Sequence, residues 1–307
     1  MPRPQIGLAL GSGSARGWSH IGIIEALDEQ GITADIVCGA SVGSLVGAAY
    51  IAGKISPLKD WVLALKWREI ASSISLGLSR GGLVDGDVFK ELMVKLDITA
   101  PIESYATPFA SVATDYATGR EIWLREGPVH HAVRASMALP GVFSPAKHDE
   151  GWLLDGGLVN PVPVSACRAM GADFVIAVNL NENLVEARVA TKAEARDQTE
   201  EQTSRAPLLE GLIEKVPASI RQHLPQMTST AQPPKPAAPG YFEVFESAIN
   251  IMQDKITRSR LSGDPPDVLL APRLAHVGVF DFQSAQEAIA EGRACVAQAM
   301  PRLQAFL

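Results

Sequence analysis

Two short apolar runs open the chain, and each is followed by glycines and then by a helical repeat. Ile6-Gly7-Leu8-Ala9-Leu10 has no polar residue and ends at Gly11, the pattern of a buried strand. After the loop Gly11-Ser12-Gly13-Ser14-Ala15-Arg16-Gly17, residues Ile21, Ile24 and Leu27 recur at helical spacing between Trp18 and Gln30. Gly31 then suits a C-terminal cap. Ile36-Val37-Cys38 reads as a second strand, and Val42, Leu45, Val46 and Ala49 as one face of a helix running to Gly53. Strand, helix, strand, helix in so short a span requires parallel strands in an α/β layered fold.

Composition narrows the function. The 307 residues carry 27 Lys+Arg against 34 Asp+Glu, a net charge of -7. A nucleic-acid binder needs clustered positive charge, so no nucleic-acid partner is expected. Hydrophobic residues at 47% and charged residues at 20% indicate a globular core. Cys38, Cys167 and Cys295 lie far apart without CxxC spacing, so neither a disulfide framework nor a Cys-rich zinc site is expected, and free thiols in a reducing cytosol are the plain reading. No long apolar core with a cleavage site follows Met1, so no secretory signal is expected. The uncharged run 36–53 has a membrane-span reading, but Gly39, Gly43, Gly47 and Gly53 keep its hydropathy modest. A buried strand, a turn and a core helix fit it better.

Farther on, helices are predicted over Pro57–Ile74, Asp85–Leu96 and Val129–Met137, with a hairpin of Phe109–Asp115 and Glu121–Leu124 around Ala117-Thr118-Gly119. Trp152-Leu153-Leu154 and Phe174–Leu180 read as strands. Between Leu184 and Gly240 the composition shifts: there is no aromatic residue, and four prolines fall within Pro233–Pro239. This reads as a Pro-rich flexible insertion or linker between a core of residues 1–183 and 241–307. Within it Leu209, Leu212, Ile213, Val216, Ile220 and Leu224 share one helical face, interrupted by Pro217. That face is a candidate lid or membrane-docking element. A helix over Phe242–Arg260, a strand at Val268-Leu269-Leu270 and a closing helix over Ser284–Leu307 complete the pattern.

The chemistry sits in three places. Gly39-Ala40-Ser41-Val42-Gly43 is a GxSxG pattern between a predicted strand and a predicted helix, the context a nucleophile elbow requires. Ser41 is the candidate nucleophile. Gly39 and Gly43 flank it because a side chain at either would collide across the turn. The helix that follows aims its N-terminal partial positive charge where an oxyanion forms. The Gly11–Gly17 loop also lies between strand and helix, so its free N–H groups converge. It is no Walker loop, since no Gly-Lys-Ser/Thr closes it. A dinucleotide reading would want an acidic residue ending the second strand, where Cys38-Gly39 stands. The third place is Asp155-Gly156-Gly157 after a short apolar strand.

The base is open to two readings. A Ser-His-Asp triad would draw on His223 or His276, which follow Asp155. His223 lies in the Pro-rich segment, however, and Ser41 follows only two strands, unlike the elbow of an α/β-hydrolase. Asp155 taking the Ser41 proton directly fits better. An ordinary carboxylate is a weak base at neutral pH, so desolvation should raise its pKa. His20, on the first turn after the loop, is expected to cap or pack.

Together these residues resemble the patatin-like phospholipase family, in its bacterial branch similar to the catalytic domain of neuropathy target esterase. The resemblance runs through the Gly11 loop with Arg16-Gly17, Gly39-x-Ser41-x-Gly43, Ala135-Ser136-x-x-Leu139-Pro140-Gly141-Val142-Phe143 and Asp155-Gly156-Gly157. It implies a three-layer α/β fold with a mainly parallel central sheet flanked by helices. It further implies a Ser–Asp dyad that hydrolyses acyl esters of lipids, often lysophospholipids, with no metal and no cofactor. By position, Ser41 is the nucleophile, Asp155 the proton acceptor, and the N–H groups of Gly13, Ser14 and Ala15 the oxyanion hole. Arg16 and Gly17 support the loop. Where the family commonly has three glycines in a row, this chain has Ser12-Gly13-Ser14, so any left-handed position there becomes costlier. Peripheral contact with a membrane is expected for such a substrate, at a cytoplasmic location. The competing expectation is a regulatory or scaffold protein with an idle site.

Overall fold

The computed structural model of the chain describes residues 3–65, 87–182, 184 and 241–305. The strands are β1 (Ile6–Leu10), β2 (Ile36–Ala40), β3 (Phe109–Asp115), β4 (Glu121–Leu124), β5 (Ala146–His148), β6 (Gly151–Asp155), β7 (Phe174–Val178) and β8 (Val268–Leu270). The described helices are α1 (Ser19–Glu29), α2 (Val42–Ile51), α3 (Ile55–Ala64), α4 (Asp87–Lys95), α5 (Val129–Ser136), α6 (Val164–Ala169), α7 (Tyr241–Gly263) and α8 (Ala285–Gln304). By packing, the chain divides into two compact units, Met1–Asn183 with Ile249–Leu307 and Leu184–Ala248. The sheet belongs to the first.

All eight strands form one sheet in the order β5-β6-β3-β2-β1-β7-β8, with β4 also paired to β3. The central pairs β3-β2, β2-β1, β1-β7 and β7-β8 are parallel. At one edge β4, β6 and β5 add on antiparallel. The expected mainly parallel sheet flanked by helices is present.

Both faces of the central strands are covered, which is why the runs carry no polar position. On one face Leu8, Leu10, Val37, Ile176 and Val178 pack with Ile21, Leu45 and Val296. On the other, the smaller Ala9, Cys38, Val175 and Ala177 pack with Val164, Ala166 and Cys167. All three cysteines are free and buried.

β1 lies between β2 and β7, so the strand order reverses there. In open α/β sheets, ligands bind outside the carboxyl ends of the strands at such a switch point. The Gly11 loop leaves β1 at that point, and Ser41 leaves β2 beside it. The uncharged run 36–53 therefore forms β2, the turn and α2. No helix among the described residues is long and apolar enough to cross a membrane.

Several boundaries differ from the sequence pattern. A 3-10 turn over Ser14–Trp18 precedes α1, and α3 starts at Ile55. The part of the predicted Pro57–Ile74 helix beyond Leu65 lies outside the described residues, as do His223 and the face from Leu209 to Leu224. β5 and α6 are not apparent in the sequence. β5 has three residues with Lys147 and His148 exposed, so pairing with β6, rather than apolar content, makes it a strand. α6 is a six-residue helix after Pro163, too short to show a period.

α1 packs on α8 through glycines. A Cβ on Gly22 would stand 1.9 Å from the Ile289 carbonyl oxygen, and one on Gly292 would stand 2.1 Å from that of Ser19. The two helix backbones touch, which offsets the propensity cost of ~1 kcal/mol for each helical glycine. Gly292→Val is expected to destabilise the protein by ~1–3 kcal/mol or more, read as a lower urea midpoint at unchanged slope. Gly263→Val is the control: nothing lies within 4 Å of a Cβ there, and the shift should stay within ~0.5 kcal/mol.

Candidate active site

β2 ends at Ala40 and α2 begins at Val42, so Ser41 alone makes the turn. Its backbone sits at φ 55°, ψ -126°, a conformation L residues rarely adopt. A hydrogen-bond chain holds it there. The Ser41 N–H donates to Ser136 Oγ at 2.8 Å, and the Ser136 hydroxyl donates to the Val112 carbonyl at 2.5 Å. The turn is closed tightly enough to demand its glycines. A Cβ on Gly43 would come within 2.1 Å of Leu10 O, and one on Gly39 within 2.5 Å of Ser44 N.

Asp155 ends β6 and caps the 3-10 turn Gly156–Leu158. Its N–H donates to Ala138 O at 3.0 Å, and its carbonyl accepts from the Thr114 hydroxyl at 2.8 Å. The side chain is then aimed by two further bonds. Oδ1 accepts the Gly157 N–H at 2.7 Å, and Oδ2 accepts the Ser41 hydroxyl at 2.7 Å. The carboxyl is 1% exposed. Burial pushes its pKa from 3.8 to about 6, against the opposing pull of the hydrogen bonds from Ser41 and Gly157.

The loop before α1 is pinned along its length. Gly11 N donates to Val178 O at 3.2 Å, Ser12 N to Pro161 O at 2.8 Å and Ala15 N to Val279 O at 3.2 Å. Ser14 adopts φ 49°, the left-handed position at which serine is costlier than glycine. Among the described residues, no acceptor takes the N–H groups of Gly13 and Ser14, nor that of Val42 at the start of α2. Ser14 and Ser41 line the same cavity. The arrangement thus places a hydroxyl on a carboxylate acceptor, beside unengaged N–H donors and a helix N-terminus, which is the equipment of acyl transfer.

Arg16 and His20 brace the loop from behind. The Arg16 guanidinium is 1% exposed and donates to Asn181 Oδ1 at 3.1 Å, Asn250 Oδ1 at 3.0 Å and Val277 O at 3.4 Å. Asn181 in turn donates to Gln253 Oε1 at 2.9 Å. Burial closes the Arg16 guanidinium in behind the loop. His20 is fully buried, and burial lowers its pKa to about 4. Its neutral ring holds the Gly11 carbonyl through Nε2 at 2.8 Å, a tether rather than a base. His276 is bonded to Glu287 at 2.7 Å on the surface. Among the described residues, no group of three or more His, Cys, Asp or Glu is placed to hold a metal ion.

Sequence reasoning brings Ser41, Asp155 and the Gly11 loop to one place. It misses Ser136, Thr114, Asn181 and Asn250. Ser136 lies within the segment that carries the family resemblance, so a signal for it existed. The two asparagines had none, since each acts through a partner far away in the chain.

Comparison with known proteins places the chain in a family. The family profile described as patatin-like phospholipase matches residues 8–168. An uncharacterized NTE family protein of Mycobacterium bovis is 33% identical over 334 residues, covering 97% of this chain and 91% of that protein. Patatin-like phospholipase domain-containing protein 6 of Mus musculus is 34% identical over 182 residues, 57% of this chain and 13% of that protein. Lysophospholipase NTE1 of Pyricularia oryzae is 35% identical over 182 residues, 57% of this chain and 12% of that protein. The chain belongs to the patatin-like phospholipase family.

Proposed function

We propose that this chain cleaves acyl esters of phospholipids or lysophospholipids through a Ser41–Asp155 dyad and a covalent acyl-enzyme. As a patatin-like phospholipase it is a hydrolase of lipid esters. The observation that carries the dyad is the 2.7 Å bond from the Ser41 hydroxyl to a buried carboxylate. Ser41 Oγ attacks the ester carbonyl while Asp155 Oδ2 takes its proton. The N–H groups of Gly13 and Ser14 receive the oxyanion, together with the N-terminus of α2. The Ala15 N–H is engaged with Val279 O at 3.2 Å and joins them only if that bond opens. Collapse of the tetrahedral intermediate expels the alcohol, which takes the proton from Asp155. Water, deprotonated by Asp155, then attacks the acyl-enzyme, and collapse of the second intermediate releases the fatty acid as Ser41 Oγ recovers the proton from Asp155. The substrate is reached at a bilayer surface. With a net charge of -7, contact with an anionic leaflet rests on apolar or local basic surface.

A fluorophosphonate probe is expected to label wild-type protein at Ser41 and to leave Ser41→Ala unlabelled. Equal labelling of the two would remove the nucleophile assignment. The base must be ionised to work, and its pKa is raised to about 6. The rate constant kcat/KM is therefore expected to fall about tenfold per pH unit below about 6 and to level off above it. A profile that stays flat down to about pH 4 would count against Asp155.

The same shift has a signed effect on stability. Between the ordinary carboxylate pKa and about 6, the folded protein holds a proton that the unfolded chain has lost. This group's contribution to stability therefore falls as pH rises through that window and stays low above it. At about 1.4 kcal/mol per tenfold in proton affinity, the rise from 3.8 to about 6 is ~3 kcal/mol. Asp155→Asn keeps an acceptor for Gly157 and removes the buried charge. It is expected to lose on the order of a thousandfold in kcat while gaining on the order of 1–3 kcal/mol at neutral pH, measured by urea unfolding.

A further inference from the structure

The cavity that reaches Ser41 is walled by Met137, Leu139 and the rings of Trp18, Phe89, Phe143 and Phe282. Apart from the hydroxyls of Ser14 and Ser41 and the Trp18 indole N–H, the described side chains that line it are hydrocarbon or thioether. Among the described residues this lining is mostly apolar and suits a methylene chain. The rings meet in two pairs drawn from separate elements. Phe89 of α4 meets Phe143 edge-on, with centroids 5.3 Å apart at 71°. Trp18, before α1, meets Phe282, before α8, at 6.2 Å and 56°.

The space is small. Its volume is about 20 Å³ on the measure by which one water needs about 10–15 Å³. A chain attached to Ser41 that stays between these walls extends by turning rings aside. Trp18, Phe89, Met137 and Leu139 are buried. Phe143 and Phe282 are only partly buried, so they are the rings with room to turn. Phe143 also follows Gly141, a turn residue at φ 80°.

We infer that the acyl chain of the substrate lies in this slot, and that Phe143 and Phe282 set how long a chain it takes. The inference rests on Ser41 as the nucleophile. Each methylene accommodated improves kcat/KM by about fourfold, and each that must displace a ring gives that gain back. Short and medium chains are therefore preferred over long ones.

The test is kcat/KM for p-nitrophenyl butyrate, octanoate and palmitate in one detergent. Wild type is expected to favour octanoate over palmitate. Phe143→Ala and Phe282→Ala should each raise the palmitate-to-octanoate ratio on the order of tenfold. Phe143→Trp should lower the octanoate-to-butyrate ratio by a similar factor. The opposite directions of the two Phe143 changes separate chain selection from general damage, and a folding failure in one variant leaves the other two to decide. Ratios that stay within about twofold of wild type in the folded variants, with hydrolysis abolished by Ser41→Ala, would overturn the slot and leave the dyad standing. Hydrolysis that survives Ser41→Ala would overturn the nucleophile, and the slot with it.

Discussion

A serine held at φ 55° is the constraint on which the site depends. Such a backbone costs roughly 1–3 kcal/mol and persists only where its surroundings over-determine it. Here they do so from three directions. Ser136 takes the Ser41 N–H and passes the bond on to β3 at Val112. The absence of side chains at Gly39 and Gly43 lets the start of α2 close onto the ends of β1 and β2. α2 itself is buried along most of its length. One consequence reaches the chemistry. Because the Ser41 N–H is engaged by Ser136, the proposed oxyanion hole draws on other donors, and among the described residues the loop leaving the neighbouring strand β1 offers the N–H groups of Gly13 and Ser14.

That loop carries strain of its own at Ser14, with φ 49°. Its braces are mostly uncharged. The neutral His20 ring holds Gly11, Val279 holds Ala15, and the Arg16 charge is met by amide and carbonyl oxygens buried with it. The Asp155 turn abuts the same cluster. A Cβ on Gly157 would stand 2.5 Å from Gln253 Nε2 and 2.9 Å from Ser12 Oγ. The carboxylate and the loop are therefore positioned against one another through a common polar layer, and neither can drift without disturbing the other.

The candidate residues Ser41 and Asp155 were legible in the sequence because each sits at a strand end with a local signature: glycines at a turn, or an Asp-Gly-Gly after an apolar run. The layered fold was legible from strands buried on both faces, which leave runs without polar interruption. What escaped was set by distant partners. β5 exists because β6 pairs with it, and the α1–α8 contact exists because two helical glycines from opposite ends of the chain meet. A helical repeat reports a face and its period, and says nothing of which backbone will lie against it. Asn181 and Asn250 escaped for the same reason: an asparagine that receives a buried guanidinium looks like any loop or helix asparagine.

The part of the chain that follows Ala248 is therefore built into the site, although the family profile ends at residue 168. Asn250 and Gln253 of α7, Val277 and Val279 before α8, and Gly292 within α8 all bear on the loop or on the helix that follows it. None of them contacts the Ser41–Asp155 pair through a bond of its own. Their effect is on where Gly13 and Ser14 point, and in the proposed mechanism a displacement of about 1 Å in such donors is enough to cost on the order of a hundredfold in rate. A chain cut after the matched segment would keep the Ser41 turn and the Asp155 cap in sequence. It would lack the clamps from Asn250, Val277 and Val279, so the loop that lies beside Ser41 is held in place by residues from the opposite end of the chain.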